Sequence, residues 1–231
     1  AVQQQYSREM IRGLAHEIKN PLGGVRGAAQ LLEKELSDDS LREYTGIIIS
    51  ESDRLKTLVD RLLGPNKPLQ KITTNLHEPL EHVRQLLAAD LPDGVQMLRD
   101  YDPSIPDVEV DPEQLIQILL NITANAIQMV GEQGCITLRT RAQRHVTLYG
   151  TQYKLVARID IIDDGPGVAA DMQEAIFYPM VSTRADGSGL GLPIAQHLAR
   201  CHGGLIECSS QPGETVFSLF LPLEMAPDNH E

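Results

Sequence analysis

The sequence predicts an α+β protein: a helical hairpin that pairs with a second copy into a four-helix bundle, followed by a two-layer α/β sandwich. Three observations carry that prediction. Two long runs near the N-terminus repeat apolar residues every three or four positions. A Gly/Pro break follows at Gly64, Pro65 and Pro68, and after Leu69 segments with strand alternation interleave with helical ones. With 231 residues, 42% of them hydrophobic, the chain can bury a core in its second part.

The first helix carries its stripe at Ile11, Leu14, Ile18, Leu22, Val25, Ala29, Leu32 and Leu36. "SDDS" makes a turn, and the second stripe follows at Leu41, Tyr44, Ile48, Leu55, Leu58 and Leu62. A two-helix hairpin cannot bury stripes this long by itself, so a homodimer is expected. The expected domains are 1–64 for the hairpin, 65–68 for the linker and 69–231 for the sandwich.

In the second part "QKITTNL" and "VQMLRDYD" read as strands around a helix from about Leu76 to Ala89. Asp111-Pro112-Glu113-Gln114 is a helix start, with the cap at Asp111, proline at the first position and Gln114 reaching back as in a capping box. That helix is expected to run to about Val130. "CITLRTRAQ", "HVTLYG" and "YKLVARIDIID" read as antiparallel strands, the last two joined by a hairpin at "YGTQY". A helix at "LPIAQHLARCHGG" and strands "LIECSS" and "TVFSLFLPL" complete the sandwich.

Composition excludes several function classes. A net charge of −12 disfavours a broad nucleic-acid or anionic-membrane surface, so any phosphate site is local. There is no apolar run long enough to span a membrane and no signal segment, which predicts a cytoplasmic location. The chain opens inside a helical pattern without an initiator methionine, so a longer parent with an upstream sensory part is expected. Cys135, Cys201 and Cys208 lack metal-type spacing and are expected to be reduced packing residues.

Three features of the second part converge on one polar site. Gln114, Gln117, Asn121, Asn125 and Gln128 fall in a band about 80° wide on one helix, beside its apolar stripe. "DDGPG", Asp163 to Gly167, ends an apolar strand, where a carboxylate can accept from an exocyclic amine and glycines admit close backbone approach. "DGSGLGL" places Gly187, Gly189 and Gly191 before a helix, a run of backbone N–H groups suited to phosphate. It lacks the lysine of a P-loop and the setting of a dinucleotide fold.

In the first helix, with Ile18 at zero, the apolar stripe stays within about 40°, while His16 falls at about 160° and Asn20 at about −160°. Gly13, Gly23 and Gly27 share that outer side. The face is nearly bare backbone around an imidazole and an amide, which suits the approach of another protein surface. "HEIKN" is no zinc-protease motif, because Asn20 stands where the second histidine is required. Pro21 removes a hydrogen bond to the Glu17 carbonyl and predicts a bend just past the histidine.

Taken in order, "NITANA", "DDGPG", "IFYPMVST" and "GSGLGL" resemble the four boxes of the ATP-binding domain of sensor histidine kinases, a fold shared with gyrase-type and heat-shock-chaperone ATPases. "HEIKNPL" resembles the phosphoacceptor box of the same family, and the longer agreement across "GLAHEIKNPLGGVRGAAQLL", "DRLLGP" and "FYPMVS" points to its nitrogen-regulation branch. The resemblance implies that Asn121 and Asn125 hold Mg2+ and phosphate oxygens, and that Asp163 binds the adenine amine of ATP. Gly165 and Gly167 would shape the base pocket. Thr183, Arg184 and the run Gly187, Ser188, Gly189, Leu190 and Gly191 would form a mobile lid over the phosphates. Asp164 stands where many members have Asn.

By the same resemblance His16 accepts phosphate, Glu17 serves as its general base, and Asn20 positions a hydrolytic water. The phosphate would pass to an aspartate of an NtrC-like response regulator, with a PII-type protein shifting the balance toward dephosphorylation. Two other classes stay open: a conformational ATPase like the gyrase and chaperone relatives, and a non-catalytic dimeric scaffold. The ATPases carry a glutamate one turn before the metal-binding Asn, where this chain has Asn121. His77, His82, His145, His197, His202 and His230 show no partner pattern and are expected to be structural or exposed.

Overall fold

The computed structural model describes residues 2–36, 38–63, 69–89, 91–181 and 189–225, with side chains not described for 2–17, 39, 57–63 and 225. The chain divides into two compact units, Ala1–Lys67 and Pro68–Glu231.

The first unit is a helical hairpin of α1 (Val2–Glu35) and α2 (Asp39–Leu63). Helix α1 runs through Pro21 without interruption. The two helices meet through small residues: Ala29, Thr45 and Ser52 are buried, and Arg26 Nε donates to Asp53 Oδ1 at 2.7 Å. Apart from buried Ala29 and half-buried Leu22 and Leu36, the described part of the apolar stripe is exposed within the chain. Ile18, Val25, Leu32, Leu41, Tyr44, Ile48 and Leu55 are each 41–64% exposed. Ile11, Leu14, Leu58 and Leu62 lie outside the described side chains. On α1, Asn20 is exposed, and a Cβ built on Gly23, Gly24 or Gly27 would meet nothing within 4 Å. Among the described residues nothing in this unit requires glycine at these positions.

The second unit contains β1 (Ile72–Thr74), α3 (His77–Ala88), β2 (Gly94–Asp100), β3 (Val108–Val110), α4 (Pro112–Val130), β4 (Gln133–Leu148), β5 (Thr151–Asp163), a 3-10 turn (Ala175–Phe177), α5 (Gly191–Cys201), β6 (Leu205–Gln211) and β7 (Glu214–Met225). Five strands form one sheet in the order β2-β4-β5-β7-β6, and β1 and β3 form a small separate pair. The β2–β4 pairing is parallel and the others are antiparallel. "CITLRTRAQ" and "HVTLYG", expected as two strands, form the single strand β4. His145 takes a left-handed φ of 56°, so the β4–β5 ladder skips it without losing register.

Helices α3, α4 and α5 cover one face of this sheet. The His77 ring on α3 shares a hydrogen bond with Thr140 Oγ1 at 3.1 Å, so Ile136, Leu138 and Thr140 of β4 face the helices. Through the register, Ile159, Ile161 and Asp163 of β5 face the same way. Opposite them α4 buries Leu115, Ile118, Leu119 and Ile122, and α5 buries Ile194, Ala195 and Leu198. At about 1.5–3 kcal/mol for each fully buried large apolar side chain, this interface is the main stabilising layer. Asp163 is the last inward position of the most central strand, so the fold carries a carboxylate to the edge of its own core.

On the open face Asp160 is buried under two arginines, with Arg139 Nη2 at 2.8 Å and Arg158 Nε at 2.7 Å. The three cysteines are free; Cys135 and Cys208 are half-buried, but Cys201 is exposed, so it does not serve as the packing residue expected of it.

Candidate nucleotide-binding site

The site is built along one stripe of α4. Asp111 caps this helix: its Oδ1 accepts from the Gln114 N–H at 3.2 Å, while Oδ2 accepts from the Gln70 N–H at 3.1 Å. The reciprocal arm expected from Gln114 is not made. The Asp111 N–H donates instead to His202 Nε2 at 3.1 Å, and Gln114 Oε1 is left buried without a partner. His202 arrives from the end of α5, its other nitrogen Nδ1 lying 2.8 Å from the Leu198 carbonyl oxygen. Because Nδ1 must donate to that oxygen, Nε2 is the acceptor and the ring is neutral. Burial holds its pKa below the usual histidine value.

Further along α4, Asn121, Asn125 and Met129 recur at four-residue steps and share one side. Asn121 Oδ1 accepts from Gln117 Nε2 at 3.1 Å, and its Nδ2 is buried without a partner. Asn125 is half-buried. At the Asn121 end stands Gly191, the first residue of α5, where a Cβ would lie 3.8 Å from the Asn121 side chain. At the Met129 end stands Gly165, where a Cβ would come within 3.1 Å of the Met129 carbonyl oxygen. The stripe thus runs about 12 Å, from a helix N-terminus to the loop after β5.

Asp163 is 1% exposed. One oxygen, Oδ1, accepts from the Gly165 N–H at 3.1 Å, and the other, Oδ2, is buried without a partner. Burial pushes its pKa up to about 6, against the lowering effect of the Gly165 bond. Asp164 turns the other way: its Oδ1 accepts from the Cys135 N–H at 2.8 Å and holds the start of β4. That bond needs only an acceptor, which explains why Asp serves where Asn is common. Gly167 takes φ 88° beside the Gln211–Pro212 backbone. Gly189 takes φ 62°, its carbonyl accepts from the Met180 N–H at 3.1 Å, and a Cβ there would meet Met180 backbone at 2.7 Å. Leu190 is buried and precedes α5, and among the described residues no side chain caps the helix at the Gly191 and Leu192 N–H groups.

The structure therefore brings Gly165 and Gly191 to the Asn121–Asn125 stripe of α4, with Asp163 bonded to Gly165, Gly189 and Leu190 leading into α5, and Gly167 turned to the β6–β7 hairpin. Thr183, Arg184, Gly187 and Ser188 lie outside the described residues, as do the side chains of His16 and Glu17, both on α1. Among the described residues no three His, Cys, Asp or Glu side chains cluster as a metal site. Sequence reasoning missed Gln173 and Ser210, and it expected His202 to be structural or exposed without finding its link to Asp111; all three act through partners far away in the chain, which leave no local pattern.

Fold and site define a class: a two-layer ATPase-type sandwich with its polar pocket between a central strand end and two helices. Residues 110–225 match the family described as histidine kinase-, DNA gyrase B-, and HSP90-like ATPase, and residues 6–68 match the His kinase A (phospho-acceptor) domain. The chain belongs to this ATPase family and carries the phospho-acceptor domain in front of it. It is 55% identical over 222 residues to the sensory histidine kinase/phosphatase NtrB of Salmonella typhimurium, covering 96% of this chain and 64% of that protein. The same-named protein of Rhizobium leguminosarum is 40% identical, over 90% of this chain and 56% of its own length. The chain thus spans less than two thirds of these relatives.

Two solved structures are similar as well. Full-length ShkA in complex with AMPPNP has a TM-score of 0.69 and 29% identity, covering 94% of this chain and 46% of that one. Histidine kinase ThkA in complex with the response regulator protein TrrA has a TM-score of 0.62 and 28% identity, covering 99% and 65%. No described helix is long and apolar enough to cross a membrane.

Proposed function

We propose that the chain is the catalytic core of an ATP-dependent protein-histidine kinase that also dephosphorylates its response regulator. The observation that carries this reading is the α4 stripe, which joins an orphaned buried carboxylate oxygen at one end to a helix N-terminus that no described side chain caps at the other. Asp163 Oδ2 suits the exocyclic amine of adenine. The start of α5, with Gly189 and Gly191, suits phosphate oxygens. The separation of about 12 Å fits the reach of a nucleoside triphosphate. The residues also fit Mg2+: with no carboxylate cage needed, Asn121 and Asn125 would hold the ion together with nucleotide phosphates. When bound, it would supply charge neutralisation on the transferred phosphoryl group. Thr183, Arg184, Gly187 and Ser188 complete the proposed lid.

In this reading an imidazole nitrogen of His16 attacks the γ-phosphorus of ATP, the bond to the bridging oxygen breaks, and ADP leaves. Glu17 takes the imidazole proton. The phosphoryl group then passes to a carboxylate of an NtrC-like receiver domain, and Asn20, one turn from His16 and exposed, orients the water that removes it. The relatives' names as kinase/phosphatase support both activities, and the ThkA complex supports a response-regulator partner. A PII-type protein as modulator and a cytoplasmic setting follow from the likeness to NtrB. The proposed domains are 1–64, the 65–68 linker and 69–231.

Incubation with γ-labelled ATP and Mg2+ tests the reading. Acid-labile, alkali-stable label on the parent chain but not on His16→Gln is expected. Free phosphate without protein label would establish an ATPase instead, and neither product a scaffold.

The exposed stripe of the first unit supports a homodimer through the hairpin. Ile48→Asp, or Leu32→Asp, is expected to turn a sedimenting dimer into a monomer with reduced helix content. A chain that sediments as a monomer at micromolar concentration without substitution would overturn the dimer.

A further inference from the structure

Behind the proposed base pocket the loop after Asp163 is tied into the β6–β7 hairpin by a closed set of contacts. Gly165 donates its N–H to Asp163 Oδ1 at 3.1 Å and accepts at its carbonyl from the Gly213 N–H at 3.0 Å. Gly167 lies so close to the hairpin that a Cβ would stand 3.0 Å from the Gln211 carbonyl group. Val168 donates its N–H to Ser210 Oγ at 2.8 Å. Ser210 Oγ also shares a 2.8 Å hydrogen bond with Thr215 Oγ1, and Thr215 is the buried β7 partner of Asp163 in the sheet. One side chain joins the two sides directly. Gln173 Nε2 donates to the Val168 carbonyl at 3.1 Å and to the Ser210 carbonyl at 2.8 Å, spending both amide hydrogens on backbone oxygens.

We infer that Gln173 is a positioning residue for the base pocket: its carboxamide clips the loop Gly165–Val168 to Ser210 and so fixes the Gly165 N–H that aims Asp163. This inference rests on the reading of the pocket as an adenine-nucleotide site. Gln173 touches no proposed ligand atom and acts through Val168, Gly165 and Asp163. A carboxamide suits the place because, among side chains of this size, it offers two donors from one planar nitrogen. Glutamate has the same shape, but its carboxylate would face two carbonyl oxygens.

The test compares the parent, Gln173→Ala, Gln173→Glu and Ser210→Ala as full chains, using ADP titration calorimetry and the ATP dependence of histidine labelling. Loosening one wall of a preformed pocket is expected to weaken ADP binding and raise the ATP KM about tenfold in both Gln173 variants, with kcat within about twofold. Ser210→Ala, which loses the Val168 bond, is expected to act in the same direction, and the Gln173→Ala/Ser210→Ala pair to be less than additive. A merely structural role would instead lower the melting temperature without nucleotide and reduce kcat and affinity together, and that outcome overturns the inference. Unchanged ADP affinity in Gln173→Glu overturns it alone. A parent chain that binds no ADP removes the nucleotide reading, and this inference with it.

Discussion

Asp163→Asn is expected to lose adenine-nucleotide affinity while gaining stability in the absence of nucleotide. The carboxylate offers two acceptors, one taken by the Gly165 N–H and one left open. An amide has a single acceptor, so its NH2 must face either the Gly165 donor or the adenine amine. Losing a charge-assisted hydrogen bond and placing two donors together costs about 2–3 kcal/mol, or roughly 30- to 150-fold in Kd. The stability effect has the opposite sign. With its folded pKa raised to about 6, Asp163 contributes stability that is fully present below its unfolded pKa and is lost as pH rises through 6. At pH 8 the parent therefore carries the whole penalty, about 1–3 kcal/mol, and Asn does not. Melting curves at pH 8 and pH 4.5 are expected to separate the two proteins in the first condition and to narrow the gap in the second. ADP titration should show the lost affinity; equal affinity for the two proteins would sink the assignment of Asp163 to the base.

His202→Ala is expected to cost about 2–4 kcal/mol at pH 8, because it opens a cavity and leaves the Asp111 N–H without its acceptor. The loss falls on the joint between the end of α5 and the cap of α4, the two helices that frame the phosphate end of the site. Gln at 202 can offer one acceptor and one donor and is expected to recover part of this. The pH dependence follows from the depressed folded pKa. The stability tied to neutral His202 is complete above its unfolded value near 6.5 and declines as pH falls from there toward the folded pKa. Lys71 lowers that value further and Asp111 opposes it. Urea unfolding at pH 8 and pH 5.5 should show a smaller gap between parent and Ala variant at the lower pH. A gap that widens with acid would mean that the ring is charged in the folded chain.

What could be read in the sequence divides by range along the chain. The helices of the hairpin, α4 and the strand ending in Asp163 announce themselves through local periodicity. The order of the four boxes carries the proposed base and phosphate ends of the site. Contacts that close the site across long separations left no local signal. His202 caps a helix 91 residues earlier in the chain and displaces the short-range partner Gln114, which local rules favour. Gln173 reaches Ser210 across 37 residues. The parallel pairing of β2 with β4, and the merging of two expected strands through a left-handed His145, are likewise decisions of tertiary packing.

The bare stripe on α1 and α2 ties the shape of the first unit to mass action. With Leu32, Tyr44 and Ile48 exposed within one chain, the proposed dimer would make ordering of the hairpin and its pairing a single equilibrium that responds to protein concentration. The sandwich, with Leu119, Ile122 and Ile161 sealed inside it, does not depend on a second copy in this way. Under the proposed function, dilution would then separate the sandwich from an acceptor hairpin that needs its neighbour, and the number of molecules in the cell would itself set the output.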